Sequence, residues 1–176
     1  EEGVDVTIRI AELADSSLIA RKLAPAHRVL VSSPAYVAAH GAPQTPEDLT
    51  RHRWLGYGTT TMPQRWSYVK SDGTTRSLAL KPALCSNNGH VLRNAALAGQ
   101  GIAELPTFLV GCDIAAGALE VVLKAYSRGE LGIYALYTPN RYLAAKTRAF
   151  IDFLAERFSS NPEWERFDLG RPSALA

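Results

Sequence analysis

ALCSNNGHVLRNAALAGQGIAELP, residues 83–106, decides the fold class. Ala83-Leu84-Cys85 reads as a short strand, and Ser86-Asn87 behind it supplies the small polar side chains that cap a helix. Val91, Leu92, Ala95 and Ala96 then recur at helical spacing until Gly99, a residue suited to the left-handed turn that ends helices. Ile102-Ala103-Glu104-Leu105 is a second strand, stopped by Pro106. Strands alternating with helices in this way give an α/β fold, whose parallel pairs need helical crossovers.

Working toward the N-terminus, Trp66 to Val69 and the alternating Ser77-Leu78-Ala79-Leu80 flank Ser71-Asp72-Gly73-Thr74, and the Asp-Gly pair makes this stretch a hairpin. Trp66 and Tyr68 on it are read as core before ligand platform, because large aromatics are mostly buried. Thr45-Pro46-Glu47-Asp48 carries a cap, a proline at the first helical position and acids behind it, which predicts a helix start. Ala35 to His40 forms one or two helical turns before Gly41 and Pro43. Arg28-Val29-Leu30-Val31-Ser32 is a continuous apolar run, as for a strand buried on both faces. Val4, Val6, Ile8 and Ile10 alternate with Asp5, Thr7 and Arg9, the period of a strand with one apolar face.

Toward the C-terminus, two short elements are expected around Phe108 and Ile114, followed by strands at Leu119–Leu123 and Ile133–Tyr137, the second closed by Pro139-Asn140. Leu143, Thr147, Phe150, Ile151, Leu154 and Phe158 fall on one stripe of a final helix, with Lys146, Arg148, Asp152 and Glu156 off it. Asp152 and Glu156 are thus a solvated face and not an acid/base pair. After Ser159-Ser160-Asn161-Pro162 the remainder reads as a tail.

The 176 residues suffice for one large domain or two small lobes at roughly 150 residues per domain. No apolar run approaches the roughly 20 residues of a membrane helix. Nineteen basic residues against seventeen acidic ones leave +2, scattered without a stripe, so this chain alone should not grip DNA. Cys85 and Cys112 stand outside any C-x-x-C pattern and read as buried thiols in a reducing cytoplasm. Because the chain opens on Glu1 and its single methionine is Met62, a fragment or processed form is expected.

Catalytic signatures are absent: there is no G-x-S-x-G elbow, no Walker loop and no H-E-x-x-H. Gly99-Gln100-Gly101 follows a helix instead of a strand and lacks the third glycine of a dinucleotide fingerprint, so it reads as a helix end. His27, His40, His52 and His90 share no helical face, and neither a metal nor another cofactor is expected. What remains is Ser86-Asn87-Asn88-Gly89, where a strand ends and a helix begins. Free backbone N–H groups and amides there can converge on a carboxylate, or simply cap the helix.

The ordered series Val4 to Arg9, Asp15-Ser16-Ser17-Leu18, Arg21 to Pro25, Ser33-Pro34-Ala35-Tyr36, Pro46-Glu47-Asp48-Leu49, Asn87-Asn88-Gly89, Gly99-Gln100-Gly101-Ile102, Leu105-Pro106, Gly117-Ala118-Leu119 and Lys146 to Leu154 resembles the effector-binding domain of LysR-type bacterial transcriptional regulators. The likeness covers about residues 3 to 158, with Ala11 where relatives usually have Gly. It implies an α/β, periplasmic-binding-protein-like type II fold, two subdomains joined by crossover strands, with the first subdomain incomplete in this chain. Residues 1–30 would supply part of subdomain I, 31–132 subdomain II, 133–158 the return strand and last helix of subdomain I, and 159–176 the tail.

The resemblance also implies a cytoplasmic sensor without catalysis, with DNA bound only through an N-terminal winged helix-turn-helix absent from this chain, and no membrane. Its implied partners are a small-molecule effector, a carboxylate on the helix-start argument, and further copies of itself as a homodimer or tetramer. The alternative is a solute-binding protein of the same fold serving a transporter. Ser86, Asn87 and Asn88 would face the cleft, with Arg9 and Ile10 ending a strand on its other side. Arg9 would meet an acidic effector or pair with a structural carboxylate. Pro106 and Phe108 would be apolar lining or core. A chain lacking part of its first subdomain would expose apolar surface at Val4, Ile8 and the stripe of the last helix.

Overall fold

The computed structural model describes residues 5–11, 19–70, 72–126, 128–137, 144–158 and 162–166, with the side chains of 11 and 128–130 excepted. Val4, Asp15 to Leu18, Ser71, Pro139-Asn140, Leu143 and Ser159 to Asn161 lie outside the described residues.

Nine strands are described: β1 (Thr7–Ala11), β2 (Ile19–Ser32), β3 (Trp54–Tyr57), β4 (Gln64–Val69), β5 (Thr75–Leu80), β6 (Pro82–Ser86), β7 (Ile102–Pro106), β8 (Glu120–Val122) and β9 (Arg128–Tyr137). Four α-helices accompany them: α1 (Pro34–His40), α2 (Gly89–Leu97), α3 (Thr107–Ala115) and α4 (Ala145–Arg157). The main sheet runs β1-β9-β2-β7-β3-β6, with β8 also on β2, while β4 and β5 pair only with each other. β3 is parallel to both β6 and β7, so the 83–106 stretch is the expected crossover unit.

The strand expected at Arg28–Ser32 begins instead at Ile19, and the one expected at Ile133–Tyr137 begins at Arg128. β2 and β9 pair along most of their length, and β2 then passes on to β7 and β8. The burial gradient hides this length: the first four residues of β2 are exposed and the last four buried, so only the buried end looks like a continuous apolar strand. Pro25, which has no N–H, is accommodated between two register shifts, at Lys22/Ala24 and His27/Arg28.

The core divides by strand face. Val29, Val31, Leu55, Ala103 and Leu105 turn to Leu92 and Ala96 of α2 and Val110 of α3, while Leu30, Trp54 and Ile102 turn to Tyr36 of α1, Leu49, and Trp66 and Tyr68 of the hairpin. A third cluster joins Ala24 and Ala26 of β2, Leu131, Ile133 and Ala135 of β9, and Ile151 of α4. Gly101 marks a close backbone approach: at φ 153 any Cβ would lie 2.2 Å from the Arg53 carbonyl oxygen, so the helix-to-strand turn requires glycine.

Several expectations need correction. The elements around Phe108 and Ile114 are one nine-residue helix, α3, because Pro106 ends β7 and caps the helix at once. The helix start at Thr45 leads only to a six-residue 3-10 turn, Pro46–Arg51, in which Asp48 accepts the Thr45 N–H at 2.9 Å. Cys85 is half-buried and Cys112 exposed, so the expected burial of both thiols fails. Phe150 is 49% exposed and leaves the stripe of α4, whose core contacts come from Thr147, Ile151, Leu154 and Phe158. The segment after Phe158 is not all detached: Glu163–Glu165 packs on α3, with the Trp164 indole donating to the Pro25 carbonyl at 3.3 Å. Among the described residues no helix is long and apolar enough to cross a membrane.

Candidate functional site

The carboxyl ends of β6, β3 and β7 form one edge of the parallel part of the sheet, where chain reversals leave backbone groups unpaired. Tyr57 stands beside Ser86 in the register, and the Gly58 N–H donates to the Ser86 carbonyl at 3.0 Å. Asn88 is the N-cap of α2, its Oδ1 accepting the His90 N–H at 2.9 Å. The Ser86 hydroxyl accepts the Asn88 N–H at 3.1 Å. Two of the three expected site side chains thus have an oxygen engaged in capping. The exposed Asn87 amide and the Gly89 N–H have no partner among the described residues and are free to meet an anion. Gly89 permits close packing there, since a Cβ would meet Leu109 of α3 at 2.6 Å.

The other three expected residues sit elsewhere. Pro106 is half-buried at the top of α3. Arg9 and Ile10 are exposed on β1, at the opposite edge of the strand order from β6, and neither is a neighbour of the α2 start in the sheet. Phe108, expected beside Pro106, packs against the cluster of β2, β9 and α4.

On the hairpin-covered face of the same edge lies a cavity of about 580 Å³ that none of the six expected residues lines. Its wall includes Arg28, Trp54, Tyr57, Arg65, Trp66 and Glu104. Glu104 reaches it because β7 alternates, with Ile102 and Glu104 on the face opposite Ala103 and Leu105; its carboxylate accepts the Trp66 indole N–H at 2.9 Å. Trp66, expected as core, is 3% exposed and does both jobs. The signal available in the sequence was a charged residue inside each of two buried strands, Arg28 and Glu104, where an apolar residue would have sufficed.

Neighbouring ionisable groups are structural. Arg93 of α2 holds Asp113 of α3 through two hydrogen bonds of 2.5 Å, a bond that raises the arginine pKa. Glu47 is held below the usual carboxylate range first by the Tyr68 hydroxyl, which donates to it at 2.7 Å and is itself raised. Among the described residues no three His, Cys, Asp or Glu side chains gather as a metal site would require.

Residues 1–159 match the family model of the LysR substrate binding domain. The chain is 34% identical over 162 residues to the HTH-type transcriptional regulator CrgA of Neisseria meningitidis, covering 92% of this chain and 54% of that protein. The HTH-type transcriptional regulator PtxR of Pseudomonas aeruginosa is 33% identical over 161 residues, covering 92% and 51%. The chain therefore spans about half the length of the curated relatives it matches. Among solved structures, the CrgA regulatory domain superposes with a TM-score of 0.74 at 33% identity, covering 89% of this chain and 76% of that one. The full-length Vibrio cholerae virulence activator AphB superposes at 0.75 with 31% identity, covering 88% and 52%. With these neighbours, the chain has the periplasmic-binding-protein-like type II fold of LysR-type regulatory domains.

Proposed function

The chain belongs to the LysR substrate-binding domain family, and from that premise we propose that it is the effector-sensing and oligomerisation domain of a bacterial transcriptional regulator. DNA is gripped by a winged helix-turn-helix outside this chain, in the cytoplasm, and no catalysis is involved. Effector binding shifts the balance between arrangements of the two lobes or of the oligomer, and so changes how the DNA-reading parts sit on their operator. The relatives being transcriptional regulators favours this reading over a transporter's solute-binding protein.

The effector class follows from the start of α2. The free Asn87 amide and Gly89 N–H stand at the positive end of a helix dipole, which favours an anion by about 0.3 to 2 kcal/mol. A small organic acid is the expected ligand, its body against apolar residues such as Pro106, while Ile10 and Arg9, at the far edge of the sheet, take part only if the lobes close. The observation that carries this reading is the pair of unpartnered donors at the carboxyl edge of the parallel strands. In the complete regulator, Asn87→Ala with Asn88→Ala should weaken the response to small organic acids and leave operator binding intact. Because Asn88 is a cap, the double variant also loses about 0.5 to 2 kcal/mol, so thermal unfolding is followed beside calorimetry. Unchanged acid affinity, or a clear preference for cations in a thermal-shift screen, would remove the helix start from the effector site.

A further inference from the structure

β2 changes its surroundings between Ala26 and Val29. Ala24 and Ala26 pack in the cluster of β9 and α4, whereas Val29 and Leu30 pack in the two clusters on the faces of the main sheet. The pairing of β2 with β9 is irregular over the same stretch, shifting register between Lys22 and Ala24 and again between His27 and Arg28. Between those shifts Pro25 stands opposite Gly132, a residue without an N–H facing one without a side chain. Register shifts bend a strand, and proline and glycine weaken its interior.

Residues 162–166 bridge this stretch. Trp164 packs in the cluster of β9 and α4 and donates its indole N–H to the Pro25 carbonyl at 3.3 Å. Glu165 turns to the other body: its carboxylate accepts the hydroxyl of Thr107, the first residue of α3, and lies 2.8 Å from His27 Nδ1. Thr107 is fully buried and its oxygen accepts the His27 N–H at 2.9 Å, so carboxylate, hydroxyl and strand backbone form one run of hydrogen bonds. Burying a carboxylate to 9% exposure is unfavourable without such partners, so Glu165 is held there by design of the contact and not by chance of the surface. Further along α3, Gly111 leaves room for the Trp164 backbone, and Val110 beside it is core of the cluster under α2 and α3.

From this we infer that residues 162–166 are a strap that sets the angle between the two lobes, holding β2 at one bend while docked and freeing it when detached. Two adjacent strands alone resist such bending weakly. An attachment to α3, off the line of the strands, braces the bend from a second direction. The balance between lobe arrangements is then biased by this segment as well as by a ligand. The inference rests on the two-lobed fold and not on the identity or place of an effector.

The test uses the 176-residue chain with Cys85→Ser and Cys112→Ser, carrying dyes on Asn94→Cys of α2 and Ala149→Cys of α4, both exposed positions. Single-molecule energy transfer is read at picomolar concentration, where copies do not associate. The intact chain should show one dominant transfer efficiency. Stopping the chain after Asn161 should raise a second population at least about tenfold, the least that loss of a charged hydrogen bond delivers. Gly111→Ala keeps every residue of the strap but sets a Cβ against the Trp164 backbone. It should raise the same population in the intact chain and change nothing in the shortened one. An unchanged histogram on shortening, or Gly111→Ala acting equally in the shortened chain, would overturn the inference. Where removal of the whole segment unfolds the protein, Glu165→Gln gives the reading in its place: the second population should rise, and a histogram like the parent's would overturn the strap. None of these outcomes involves an acid, so failure here leaves the α2 start and the sensing function as they stand.

Discussion

His52 shows how a single side chain couples the fold to pH. It lies behind the Pro46–Arg51 turn with its Nδ1 3.3 Å from the Tyr36 hydroxyl, which also accepts the Arg53 N–H at 3.0 Å. Burial pushes its pKa below the ordinary histidine value; His40 and Arg51 act in the same direction, and Asp48 acts against them. The folded chain therefore takes up this proton less readily than the unfolded chain does. Its contribution is fully present above the unfolded value, about pH 6.5, and is lost as pH falls from there toward the depressed folded value. Urea midpoints should drop between about pH 6.5 and 5, and His52→Gln should flatten that part of the profile. Parallel profiles for the two proteins would mean that other groups carry the slope.

At the scale of elements, the piece beyond α4 acts as a clasp. Trp164 packs edge-on against Phe158 and donates its indole N–H to Pro25, while Glu165 accepts from the Thr107 hydroxyl and lies 2.8 Å from His27 Nδ1. Gly111 on α3 makes the fit possible, because a Cβ there would fall 2.3 Å from the Trp164 carbonyl oxygen. The clasp thus ties β2 to α3, across the joint between the cluster of β9 and α4 and the cluster under α2 and α3. Trp164→Ala should cost about 2 kcal/mol, less than the roughly 3 to 5 kcal/mol of a fully buried aromatic because this one is half-buried. Denaturant unfolding measures that loss, and a variant as stable as the parent would show that the segment merely rests on the surface.

For the whole molecule, the open face between β1 and α4 dominates. Ile8 and Ile10 are each 44% exposed, and their register partners Ala135 and Ile133 lie in the cluster that Ile151 of α4 covers. Lys146 reaches Asp5 at 2.7 Å, so the first turn of α4 lies beside the entry to β1. Phe150 is one turn further along that side and Phe153 follows it, 49% and 60% exposed. An apolar strip of this kind favours association in water. The 176-residue chain should self-associate at micromolar concentration in ultracentrifugation, and Ile8→Thr with Phe150→Ser should shift it toward monomer. A parent chain that sediments as monomer throughout would contradict this.

Local sequence determined the elements whose cause is local. The Asp72-Gly73 turn, the crossover unit from Ala83 to Pro106 and the start of α1 at Ser33-Pro34 were legible because turn residues, caps and helical spacing act within a few positions. The capping role of Ser86 and Asn88 was legible for the same reason. Tertiary structure alone decided the length of β2, because its exposed first four residues are held by pairing with β9 and not by their own pattern. It also decided which side of α4 stays open, since Phe150 has the spacing of a core residue and lacks only a neighbour to cover it. The cavity is the clearest case. Arg28, Trp54, Arg65 and Glu104 come from β2, β3, β4 and β7, and no spacing along the chain links them. Only the sheet order, which places β7 between β2 and β3 and lays the hairpin over that face, brings these residues to one wall.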